Sequence, residues 1–234
     1  MQRKRKSIQL PAGRGFTLVE LLVTVAIIAV LASVLLPALS TARQTAKQLR
    51  CASNLREIGR AIMFYVDAYN GALPTAEAAH YAEGSANWWE HKAFLATLAL
   101  EPFPCGPSVL TCPEDSLPDF YKSGAPMSCW SSYGANASCF GMQRGGSKRG
   151  RRLSQVQQPA EALAFADAEF DEGEALVVGH QDCVLIAFAY RHRGRAEAVF
   201  LDTHVETITA ADVPTGEDAW RDPFWGNLPQ FWEY

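Results

Sequence analysis

The residue with the strongest chemical claim in this chain is a lone carboxylate. Glu20 heads a run from Leu21 to Ala42 that holds 22 residues and no charged side chain. At about 1.5 Å of rise per residue, that run is roughly 33 Å of helix, enough to cross the hydrocarbon core of a bilayer. A single acid at the edge of such a span is unfavourable and calls for a cation in the assembled state. Other groups invite metal chemistry. His180, His192, Asp202 and His204 could gather across a hairpin, but Asp202 can equally fix a turn through its own backbone. Asp167, Glu169, Asp171, Glu172 and Glu174 offer oxygen ligands around Gly173 and suggest calcium, without the spacing of an EF-hand. The simpler expectation is a solvated acidic loop and no cofactor. No Gly-x-Ser-x-Gly, His-Glu-x-x-His or P-loop pattern occurs, so the chain is not expected to be an enzyme.

Charge and cysteine usage indicate where these groups reside. Arg3, Lys4, Arg5, Lys6 and Arg14 make the first 15 residues strongly basic. The remainder carries 16 basic and 25 acidic side chains. A basic head before an apolar run predicts a cytoplasmic N-terminus and an exported body. The acidic balance of that body argues against nucleic acid as a partner. Six cysteines, at 51, 105, 112, 129, 139 and 183, suit disulfides in an exported domain. They allow 15 pairings. None has the Cys-x2–4-Cys spacing of a zinc knuckle, so metal is the weaker reading. Cys51 falls beyond the lipid, and Cys112 lies in a proline-bounded loop that must dock. A Cys51–Cys112 disulfide is therefore the expected cross-link.

The elements that must position these groups follow from periodicity. Residues 16–70 read as one helix, with residues 16–39 as its membrane half and 40–70 as an amphipathic exported half. Leu55, Ile58, Ile62, Tyr65 or Val66, and Tyr69 recur at steps of three and four. Pro37 should kink the helix or loosen one hydrogen bond, and Asn70-Gly71 should end it. Residues 71–234 form the body. Residues 75–160 read as irregular, apart from a short helix capped by Asn87. Ala162–Ala166, Cys183–Tyr190, Ala198–Leu201 and Val205–Ile208 have strand length and composition, giving an antiparallel meander over about 162–208 with one face against the helix. The fold class is α+β. Trp220, Phe224, Trp225, Phe231, Trp232 and Tyr234 form an aromatic tail that either seals the core or offers a sugar platform.

The segment Gly15-Phe16-Thr17-Leu18-Val19-Glu20 resembles the processing site of type IV prepilins and type II secretion pseudopilins. The resemblance implies a leader, residues 1–15, cut after Gly15 by a dedicated membrane peptidase that also methylates Phe16. It implies that Glu20 pairs with the amine of an adjacent subunit. Further segments resemble a pseudopilin-like subgroup known for an H-x9-DG motif: Cys51–Gly59, Asn70–Pro74, Thr111–Asp115, Ser132–Asn136, and His192 followed nine residues later by Asp202. Thr203 stands where that subgroup has Gly. The implied protein is a structural subunit of a secretion or pilus-like filament in the inner membrane. Its body would be periplasmic, and its partners would be the peptidase, other subunits, the secretion platform and the bilayer. The rivals are a cleaved signal peptide ending near Ala42, a plain signal anchor, and a membrane-tethered module that binds glycan or protein.

Overall fold

The computed structural model describes residues 16–74, 92–100, 108–115, 131–140, 151–169, 176–177, 188–215 and 221–226. The chain divides into two compact units, residues 1–43 and 44–234. Helix α1 runs Leu18–Ala68 and continues through Pro37. It opens with a capping box. The Thr17 hydroxyl accepts from the Glu20 amide, and the Glu20 carboxylate accepts from the Thr17 amide and hydroxyl, both at 2.8 Å. The large apolar residues that follow, from Leu21 through Leu39, are exposed. This is the one helix among the described residues that is long and apolar enough to span a membrane. Asn70 and Gly71 both take positive φ and close the helix.

Within the body, α1 turns one face inward. Cys51, Leu55, Ile58, Gly59, Ala61, Ile62, Tyr65 and Val66 are buried, which is the stripe expected from a 3.6-residue period. Tyr69 departs from the expected stripe: it is exposed and stacks on Tyr65 at 4.3 Å. The remaining elements are α2 (Lys92–Thr97), β1 (Tyr133–Asn136), α3 (Ala137–Phe140), β2 (Leu163–Asp167), β3 (Leu176–Val177), β4 (Ala196–Phe200) and β5 (Val205–Ile208). The sheet order is β3-β1-β2-β4-β5. Four strands pair antiparallel, and the two-residue β3 lies parallel to β1 at the edge. The α+β class and the long helix match the expectation. Strand β1 does not, because it falls in the stretch read as irregular. Of the expected strand at Cys183–Tyr190, only the end is described, where Phe188 bridges Ala168. Asn87 lies outside the described residues.

Both faces of the sheet are covered. On one, Ala135, Phe165 and Val199 join the α1 stripe with Phe94, Leu95 and Leu110. On the other, Leu163, Ala198, Phe200 and Ile208 pack with Phe188, Phe224 and Trp225. A register shift between Leu163 and Phe165 turns Ala164 and Phe165 to the same side. Trp225 is fully buried and donates its indole N–H to the Pro214 carbonyl. Phe224 and Trp225 therefore seal the core. The other tail aromatics lie outside the described residues.

Candidate functional site

Two places carry the chemistry. The first is the head of α1. Phe16 and Glu20 are both exposed, and Gly15 lies outside the described residues. Glu20 already has a local role as the third helical residue of the capping box. Its sequence signature is Thr-x-x-Glu before an apolar run.

The second place is inside the body. Cys51 on α1, Cys112 in the loop after Leu110, Asp167 at the end of β2 and His192 in the turn before β4 are all buried. Each presents one donor atom, and these four atoms lie within 4.8 Å of one another. Cys51 Sγ donates to Asp167 Oδ1 at 3.1 Å and sits 3.3 Å from the Tyr133 hydroxyl. Cys112 Sγ lies 3.4 Å from His192 Nε2, and Asp167 Oδ2 lies 3.3 Å from the same nitrogen. Asp167 Oδ2 also accepts from the Glu197 amide at 2.8 Å. On the far side of the ring, His192 Nδ1 faces Glu114 Oε2 at 3.6 Å and has no hydrogen-bond partner. Arg191 completes the surround. Its guanidinium is 3.1 Å from Asp115 and 3.9 Å from Asp167, and it donates to the Ser132 and Ala168 carbonyls. Asn54, one turn from Cys51, donates to the Tyr133 hydroxyl and the Thr111 carbonyl.

The packing sets the protonation states. Burial, together with hydrogen bonding from Cys112 and the Asp167 charge, pushes the Cys51 thiol well up. Hydrogen bonding from Cys51, then from His192, outweighs burial at Cys112 and brings it down to about 6. Burial alone would lower His192, but hydrogen bonds to Asp167 and Cys112 raise it to about 10. Cys112 and His192 are thus both shifted toward a thiolate–imidazolium pair within the buried site. Cys112 and Asp167 face the same ring nitrogen of His192, and Glu114 faces the other at 3.6 Å, so the ring stands between a thiol and two carboxylates.

The sequence expectations fare unevenly. Cys51 and Cys112 are brought together, but both are free thiols and the expected disulfide is not formed. Cys139 is a third buried free thiol, while Cys105, Cys129 and Cys183 lie outside the described residues. Asp167 does not serve the acidic loop suggested for calcium, because its carboxylate is fully buried in the cluster. Glu169 is exposed, and residues 171, 172 and 174 lie outside the described residues. His192 and Asp202 have separate partners. Asp202 is at the β4–β5 turn, where its carboxylate accepts from the His204 amide at 3.0 Å and meets His204 Nδ1 at 2.6 Å. His180 lies outside the described residues. Tyr133, Asn54, Arg191 and Glu197 join the site with no chemical motif of their own in the sequence, although Asn54 and Tyr133 fall in segments singled out by resemblance.

The comparisons with known proteins bear on the first place. Residues 12–36 match the family described as the prokaryotic N-terminal methylation motif. The match, running into an exposed apolar helix, supports a prepilin-type, pseudopilin-like protein and a substrate of prepilin peptidase. No curated protein and no solved structure gives a significant match to the chain.

Proposed function

We propose that the chain is a pseudopilin-like structural subunit of a type II secretion or type IV pilus-like filament. It is cut after Gly15, methylated at Phe16 and held in the inner membrane by the first half of α1, with the body in the periplasm. The observation that carries this reading is the methylation motif at residues 12–36 leading directly into an apolar helix of spanning length. Processing creates a free amine at Phe16, and the neighbouring subunit's Glu20 is its natural counter-charge at low dielectric. Helix packing supplies the bulk of the association, and the charge pair sets register. The other partners are the peptidase, further subunits, the secretion platform and the bilayer. The body has no catalytic role in this reading, and its H-x9-DG-like segments serve folding.

The capping box favours a second reading, a membrane-tethered binding module, because it gives Glu20 a task that needs no neighbour. Glu20→Gln separates the two. Gln retains a side-chain acceptor at the third helical position and so keeps the cap, but it removes the charge. In the filament reading, Glu20→Gln inserts normally and loses cysteine crosslinking between neighbouring stems at least tenfold. Thr17→Ala weakens the cap and keeps most of the crosslinking. Wild-type crosslinking and secretion in Glu20→Gln would favour the tether.

A further inference from the structure

We propose that Cys51, Cys112, Asp167 and His192 form a structural site for one zinc-type divalent ion. The donor set of two sulfurs, one imidazole nitrogen and one carboxylate oxygen suits a borderline-soft, four-coordinate ion. The geometry agrees. Zinc bonds of about 2.0–2.3 Å directed to tetrahedral corners place neighbouring donors about 3.3–3.8 Å apart. Two edges of the set are 3.1 Å (Cys51 Sγ to Asp167 Oδ1) and 3.4 Å (Cys112 Sγ to His192 Nε2). All four donor atoms lie within 4.8 Å of one another, so small side-chain shifts would bring them around one ion.

The surroundings are those of a metal centre. A ligating histidine turns its second nitrogen toward a carboxylate, and His192 Nδ1, orphaned and buried, faces Glu114. The Glu197 amide holds Asp167 Oδ2, leaving Oδ1 as the metal-facing oxygen. Two thiolates, a carboxylate and a divalent cation sum to one negative charge, which Arg191 offsets from 3.9 Å. Binding is not redox chemistry: as the metal bonds form, the Cys51 thiol surrenders one proton to solvent and the Cys112–His192 pair surrenders another, which leaves two thiolates and a neutral imidazole as ligands.

The position of the site explains what the ion does. The donors come from four parts of the chain, residues 51, 112, 167 and 192. One ion would fasten the exported half of α1 to the loop at Cys112, the end of β2 and the turn before β4. Of the segments singled out by resemblance, Cys51–Gly59, Thr111–Asp115 and His192 supply ligands and Ser132–Asn136 borders them through Tyr133, whereas Asp202 lies apart. The site is independent of how the N-terminus is processed.

The test uses the full chain extracted in detergent from membranes, with metal content read by inductively coupled plasma mass spectrometry. About one zinc per chain is expected. Cobalt exchanged into the site should give the visible bands of a tetrahedral ion and a thiolate-to-cobalt charge-transfer band. Cys112→Ser and His192→Ala should lose the metal. Glu114→Gln should bind zinc 10- to 100-fold more weakly. If the ligand variants do not fold, the wild type still decides the matter: zinc should protect Cys51 and Cys112 from alkylation, and a chelator should expose them. A Cys51–Cys112 disulfide in protein from the native compartment overturns the proposal. So do thiols that alkylate at the same rate with and without added zinc.

Discussion

The head of α1 and the buried cluster carry their information in opposite ways. The first is contiguous: leader, Gly15, Phe16, Glu20 and the apolar run follow one another, and a peptidase and a bilayer meet them in that order. The second is dispersed over residues 51, 112, 167 and 192, and exists only once β2 and β4 are docked on α1. A one-dimensional signal can survive with little support from the fold. A dispersed one depends on every element that positions it, so disturbing the body should damage the cluster and leave processing intact.

That contrast can be broken in several places. The largest effect is expected at Gly15. Gly15→Val should abolish leader removal while leaving the thermal unfolding of the body unchanged. Asp167→Ala comes next. It removes the fully buried carboxylate beside His192, while Arg191 keeps Asp115 at 3.1 Å, a loss of about 3 kcal/mol, measurable by denaturant unfolding, with N-terminal processing unaffected. Gly59→Ala is smaller. A Cβ there would lie 2.8 Å from Val199 Cγ2, with Thr203 at an ordinary 3.5 Å, so the Val199 side chain or the packing of α1 on β4 must give. Overpacking of this kind costs about 1–3 kcal/mol, which a shift in the denaturant midpoint would report.

Thr203→Gly has the opposite sign. Thr203 holds φ of 79° in the turn where its amide donates to the Phe200 carbonyl at 2.9 Å. Glycine removes the left-handed strain but gains freedom in the unfolded chain. The expected net is a stabilisation of roughly 1 kcal/mol. An unchanged or lower midpoint would show that the turn is held without strain. The smallest effect concerns Cys139. Burial pushes its thiol up to about 12, so at pH 8 it should stay protonated and resist alkylation in the native protein, reacting only after denaturant is added.

Much of the fold could be read from periodicity because burial follows it. The α1 stripe repeats at three and four, and β2, β4 and β5 are runs of apolar or β-branched residues. Strand β1 was hidden because Tyr133-Gly134-Ala135-Asn136 is built of small and turn-forming residues. They sit in the sheet because Ala135 packs in the core and Asn136 donates to the Leu163 carbonyl at 2.8 Å. The cluster was hidden for another reason. Metal-site rules reward cysteines close in sequence, and here tertiary contact supplies the spacing. Thr203 shows the converse. It stands where the resembling subgroup has Gly, and the turn forms all the same, with Thr203 at positive φ and its amide donating to the Phe200 carbonyl.

The central claim, that this is a processed pseudopilin-like subunit, is tested most directly by mass spectrometry of the N-terminal peptide of chain extracted from membranes of cells that contain the peptidase. The predicted result is a single terminus at N-methylated Phe16, with the leader absent. An intact Met1, or a terminus near Ala42 with the apolar run removed, would contradict it.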